Sequence, residues 1–236
     1  MDGLMPGLFW KPVDGLQIAV DGPSGSGKGT VAAMLGEALG LPVLDTGLLY
    51  RFAGWQAEQL GVDLSNSAAV LAVLEGAVAD MQWRADGIFF AGKDCTSLLR
   101  GEDVGSLASQ VAGLPEVRHA LLAVQRNIAV AGCVMDGRDI GSVILPEAQA
   151  KFFLTASQRE RARRRWTQLH AKDSEISIEQ VADELIARDG RDAERECAPL
   201  TRAEGAIHID STTMRVDEVL DRILSVLERR DLIQAV

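Results

Sequence analysis

Residues 18–40 read IAVDGPSGSGKGTVAAMLGEALG. The apolar run Leu16–Val20 (LQIAV) predicts a strand buried on both faces. Lys28–Leu39 has the spacing of an amphipathic helix. Between them, Gly22-Pro23-Ser24-Gly25-Ser26-Gly27-Lys28 fits G-x-x-x-x-G-K. A strand, then this loop, then a helix is the context of a phosphate-binding loop. Glycines let backbone N–H groups point inward around a polyphosphate, and the helix N-terminus adds partial positive charge. Lys28 then reaches the β- and γ-phosphates. Gly29 stands where Ser or Thr is usual, and the hydroxyl comes one residue later at Thr30.

Outward from this loop, short apolar runs alternate with helix-length segments. Further strands are predicted at Pro42–Asp45, Cys133–Asp136, Lys151–Thr155 and Ala206–Asp210. Helices are predicted at Thr46–Leu60, Glu116–Val130, Ser157–Ala171, Ile176–Arg188 and Val216–Arg230. Alternation of this kind predicts an α/β fold with ligands at the carboxyl ends of parallel strands. Residues 80–100 break the pattern. Turns at Ala85-Asp86-Gly87 and Gly92-Lys93-Asp94 divide strand-like runs, which predicts a small antiparallel meander beside a helix around Ser67–Val78.

The chain has 236 residues, 47% of them hydrophobic, and a net charge of −10. That length suits one sizeable domain with an insertion. An acidic chain argues against a protein that coats nucleic acid, whose affinity comes from neutralising phosphates. No apolar run is long enough for a membrane helix. Cys95, Cys133 and Cys197 are too scattered for a disulfide framework or a zinc site and fit a reducing cytoplasm. Residues 1–15 read as a loose tail.

The basic residues are 19 Arg and 5 Lys. Arg grips phosphate bidentately, and phosphoryl transfer needs several cations around the charge of the transition state. Arg51 and Arg138 follow predicted strands. Arg161, Arg164 and Arg165 share a helix face by i, i+3 and i, i+4 spacing, as in a phosphoryl-transfer lid. Arg188, Asp192 and Arg195 repeat that spacing, with Gly190 as a candidate helix breaker. Arg159 and Arg163 read as solvated. No Asn-Lys-x-Asp occurs, which argues against a GTP switch.

Six segments, DGPSGSGKGT (21–30), LDTGLLYR (44–51), ASQVAGLPEVRHALLAVQR (108–126), DGRDIGSVILP (136–146), RARRRW (161–166) and ARDGRDAERECAPL (187–200), occur in the order seen in bacterial cytidylate kinases. The chain resembles that family over nearly its whole length. The resemblance implies a P-loop NTPase-type three-layer sandwich with a five-stranded parallel sheet of order 2-3-1-4-5. It implies one core at 16–236, a nucleotide-monophosphate-binding insertion at about 66–108 and a helical lid at about 157–195.

It also implies transfer of the γ-phosphoryl group of ATP, with Mg2+, to CMP or dCMP in a cytoplasmic monomer. Gly22 to Thr30 would hold ATP. Ser109, Arg118 and Asp139 would read the cytosine edge, with Thr46 and Tyr50 also lining the CMP site. Arg51 and Arg138 would hold the acceptor phosphate. Arg188, Asp192 and Arg195 would contact the sugar and phosphate, and Arg161, Arg164 and Arg165 would close on the transferring group. No protein metal ligand is assigned. The alternatives are a same-fold kinase acting on UMP, AMP or a small alcohol, and a non-catalytic nucleotide sensor.

Overall fold

The computed structural model describes residues 10–84, 87–170, 175–195 and 197–236. The central sheet is parallel and has five strands: β2 (Gln17–Asp21), β3 (Val43–Asp45), β7 (Cys133–Gly137), β8 (Ala150–Thr155) and β9 (Ile207–Asp210). Their order is β3-β7-β2-β8-β9. Counted as core strands, that is 2-3-1-4-5, as the resemblance implies. β2 lies centrally and pairs with both β7 and β8, Val20 facing Asp136 on one side and Phe152 on the other.

Two cores flank the sheet because side chains alternate along each strand. Ile18 and Val20 join Val31, Leu35, Ile223 and Leu227 on one side, beneath helices α1 (Lys28–Leu39) and α9 (Val216–Arg229). Ala19 and Met135 join Leu49, Phe52 and Leu121 on the other, beneath α2 (Thr46–Gln59) and α6 (Pro115–Ala129). This is the expected three-layer arrangement.

Between α2 and α6 lie α3 (Ser67–Val78), an antiparallel sheet of β4 (Met81–Arg84), β5 (Gly87–Phe90) and β6 (Lys93–Asp94), and two further helices. Those are α4 (Thr96–Leu99) and α5 (Glu102–Val111). The meander was expected, although Ala85 and Asp86 of its first turn lie outside the described residues. Helix α5 was not expected. Its sequence, EDVGSLASQV, is weakly apolar; it forms because Leu107 packs where Gly54 of α2 has no side chain, a Cβ there meeting Leu107 at 2.9 Å.

The segment expected as a lid is a helical pair, α7 (Gln158–His170) and α8 (Ile178–Glu194), with a small core of its own around Ala162, Leu169, Val181 and Leu185. Residues 171–174, inside the expected lid and at the end of the expected helix Ser157–Ala171, lie outside the described residues. α8 runs past Arg188 and through Gly190 to Glu194, so Gly190 does not break it. The Ser177–Gln180 capping box starts it firmly.

The reading of residues 1–15 as a loose tail needs correction. Trp10–Pro12 form β1, paired antiparallel with β10 (Ile233–Ala235), and Trp10 packs against the core beneath α9. Residues 1–9 of that stretch lie outside the described residues. Among the described residues, no helix is long and apolar enough to cross a membrane.

Candidate active site

The phosphate loop leaves β2 after Asp21 and enters α1 at Lys28. Gly27 caps the helix with φ +90°, a conformation that glycine adopts without Cβ strain. A cavity of about 320 Å³ opens over this loop. Ser24, Gly25, Gly27, Lys28, Gly29 and Thr30 line it. Gly22, Pro23 and Ser26, also expected at the nucleotide, do not.

Lys28 is buried, and its ammonium is 3.9 Å from Asp136 Oδ1. Burial pushes Lys28 well below the ordinary lysine range, and nearby Arg138 adds to the effect. Burial raises the Asp136 carboxyl in turn. Asp136 also explains the glycine at position 29. A Cβ there would stand 3.1 Å from Asp136 Oδ2. Sequence reasoning missed Asp136 as a site residue. The available signal was an acidic residue ending an otherwise apolar strand, at the sheet edge where ligands bind.

Across the cavity, α2 supplies Thr46, Tyr50 and Arg51, and the segment after β7 supplies Arg138 and Asp139. Arg118 of α6 and Ser109 of α5 complete that side. Arg118 and Asp139 are buried and form a direct ion pair, and the Arg118 guanidinium lies 5.3 Å from the Tyr50 ring centroid. Burial opposes the charge on Arg118, but Tyr50 and Asp139 together hold its pKa above the ordinary value. Thr46 Oγ1 donates to the Asp136 carbonyl at 2.9 Å, a role any hydroxyl fills. Arg51 donates to the carbonyls of Leu99 and Gly101, and Arg191 donates to Ser109 Oγ at 3.0 Å.

The helical pair α7–α8 and the residue after it carry Arg165, Arg188, Asp192 and Arg195 to the same cavity. Asp192 accepts from Arg138 Nε at 2.9 Å and faces Arg195 at 3.0 Å. Burial alone would raise Asp192, but Arg138, Arg195 and Arg188 reverse it and hold it below the usual carboxylate range. Arg188 is pushed down to about 10, by burial first and then by Arg138, Arg51 and Arg165. Among the described residues, its Nε has no hydrogen-bond partner. Cations crowded this closely out of water are stabilised by an anion among them.

The three lid arginines read as one phosphate-facing set divide. Only Arg165 reaches the cavity. Arg161 is buried, donating to the Ser24 carbonyl at 3.0 Å and pairing with Asp189 at 2.5 Å. Arg164 donates to the Ser26 carbonyl and to Ser211. Shared helical spacing puts side chains on one face, but that face here abuts the back of the phosphate loop. Arg159 and Arg163 are exposed, as expected.

Among the described residues, no group of three or more His, Cys, Asp or Glu could hold a metal. Asp136 Oδ1, a buried carboxylate oxygen without a hydrogen-bond partner among the described residues, does face the loop. That suits Mg2+, which takes one or two carboxylates and completes its shell with water and substrate phosphates.

A phosphate loop at the carboxyl edge of a parallel sheet, facing arginines from α2, α6, the segment after β7 and the α7–α8 pair, places this chain among the P-loop kinases. The cytidylate kinase family model matches residues 18–229. The cytidylate kinase of Stutzerimonas stutzeri is 50% identical over 222 residues, covering 91% of this chain and 96% of its own. That of Pseudomonas syringae pv. tomato is 48% identical over 220 residues, with the same coverage. That of Pseudomonas putida KT2440 is 46% identical over 223 residues, covering 92% and 97%. The chain belongs to the cytidylate kinase family.

Proposed function

We propose that this protein transfers the γ-phosphoryl group of ATP to CMP or dCMP, giving CDP or dCDP and ADP. One observation carries the acceptor: the buried Arg118–Asp139 pair at the far side of the cavity that the phosphate loop opens. Cytosine offers an N4 amino donor beside N3 and O2 acceptors. Asp139 accepts from N4, and Arg118 donates to N3 and O2. Uracil reverses the N3 and position-4 pattern and would leave buried groups unpaired, which a hydrogen-bonding site rejects strongly.

ATP binds on the loop, with its phosphates at the backbone N–H groups and Lys28. The acceptor phosphate settles among Arg51, Arg138 and Arg188, close to the γ-phosphate. An acceptor phosphate oxygen attacks phosphorus in line as the bond to the ADP oxygen breaks. The attacking oxygen is already anionic, so positioning and charge neutralisation do the work, and no strong base is needed. Arg138 therefore exchanges part of its present bonding, to Asp192 and Ser24, for phosphate. Arg165 brings charge from the lid, whose closure excludes water. Asp136 and Thr30 would hold Mg2+, which neutralises β- and γ-oxygens when bound.

The test is acceptor choice in Asp139→Asn. The substitution keeps the shape but replaces one acceptor oxygen by a donor. CMP efficiency should fall about 10- to 100-fold, the loss of a charged hydrogen bond, and the CMP/UMP ratio should fall with it. An unchanged ratio removes Asp139 from base reading.

A further inference from the structure

Asp21 is the last residue of β2, and the reaction described above does not use it. It is 3% exposed and does not line the cavity. One carboxylate oxygen accepts from the Ile140 N–H and the other from the Gly141 N–H, both at 2.8 Å. Those N–H groups open the wide helical turn Ile140–Ile144, which starts directly after Arg138 and Asp139. The first N–H groups of any helical turn lack partners within it, and a carboxylate there forms charge-assisted bonds.

The grip is thus on the two peptide units that follow Asp139. Upstream, Gly137 is closely packed. A Cβ there would approach Thr46 Oγ1 to 2.7 Å and Ile140 Cγ1 to 2.9 Å. Between these two anchors the chain presents Arg138 to Asp192 and Ser24, and Asp139 to Arg118. We propose that Asp21 is a positioning residue for the acceptor nucleotide: by holding the Ile140 and Gly141 amides, it sets where Arg138 meets phosphate and Asp139 meets the base. This inference rests on the acceptor reading given above.

The phosphate loop begins one residue after Asp21, yet separate contacts brace it. Arg161 donates to the Ser24 carbonyl, and Arg164 and Ser211 donate to the Ser26 carbonyl. Loss of the Asp21 contact should therefore affect the acceptor and spare the donor.

The experiment is steady-state kinetics on Asp21→Asn, which is isosteric but turns an amide NH2 toward one of the two N–H donors. KM for CMP should rise about tenfold, the CMP/UMP ratio of kcat/KM should fall by a similar factor, and KM for ATP should stay within twofold. Asp21→Ala, which removes both acceptor oxygens and adds no group at the two amides, should shift the same ratio in the same direction. It also serves where Asp21→Asn does not fold. A folded variant whose CMP/UMP ratio equals the parent's, or whose KM values for CMP and ATP rise together, overturns the proposal. So does failure of both variants to fold, which assigns the contact to stability alone. Parent enzyme that turns over CMP and UMP equally would instead overturn the acceptor reading.

Discussion

Lys28 and Asp136 show how one buried residue sets what its neighbour can be. Their approach at the loop makes position 29 a place for glycine, although a hydroxyl is usual there. Lys28→Ala removes the only side-chain cation of the loop. It should lower kcat by about 10²- to 10³-fold, the loss expected for one preorganised charge-stabilising donor, with little change in KM for CMP. Asp21 yields a pH prediction. Burial lifts its carboxyl to about 7, against the two backbone N–H bonds that lower it. A carboxyl with a raised folded pKa favours the fold fully below its unfolded pKa, and that contribution is lost as pH rises through about 7. Thermal melts of Asp21→Asn should therefore fall less between pH 5 and pH 8 than those of the parent. A parallel fall in both would show that Asp21 does not titrate there.

At the scale of elements, Lys28–Leu39 and the strands around it were legible because strand period, glycine spacing and helix period agree over residues 18–40. The arginines of α7 were less so. Spacing shows that Arg161, Arg164 and Arg165 share a face, but which surface that face meets depends on the tertiary fold. Asp21 and Asp136 escaped notice because a carboxylate ending a strand looks the same whether it faces water or a backbone N–H. Helix α5 escaped because its packing depends on Gly54, some 50 residues away in α2. Of the twenty-two site residues expected from motif order, seventeen line one cavity. Arg161 separates the two readings of the lid. As a brace between the loop and α8, Arg161→Met should destabilise by about 1–3 kcal/mol, the cost of losing a charged hydrogen-bond partner at a part-buried pair, seen as a lower Tm. As a phosphate ligand, it would lose kcat with Tm unmoved.

For the whole molecule, α8 meets the opposite side of the cavity through Arg191 and Ser109 of α5, and through Asp192 and Arg138 of the segment after β7. Nucleotides bound between these parts should draw them together. The ATP analogue and CMP, each at about 100 times its Kd, should each stabilise by about 2.7 kcal/mol. For a chain of this size each raises Tm by about 5–10 °C, readable by scanning fluorimetry. A shift produced by the ATP analogue alone, with no addition from CMP, would mean that the acceptor site is not formed by these parts. The pairing of β1 with β10 ties the two ends of the described chain together, so truncating residues 1–12 should lower Tm without changing KM for CMP.

The most direct measurement is ADP formation by purified protein with ATP and Mg2+, supplying CMP, dCMP, UMP, AMP, GMP and shikimate one at a time beside a Lys28→Ala control. Turnover is expected with CMP and dCMP, falling steeply with the others and lost in the control. Fast turnover with UMP, AMP, GMP or shikimate would contradict the assignment of Arg118 and Asp139 to cytosine. Tight ATP binding with no turnover of any acceptor would contradict the kinase reading itself.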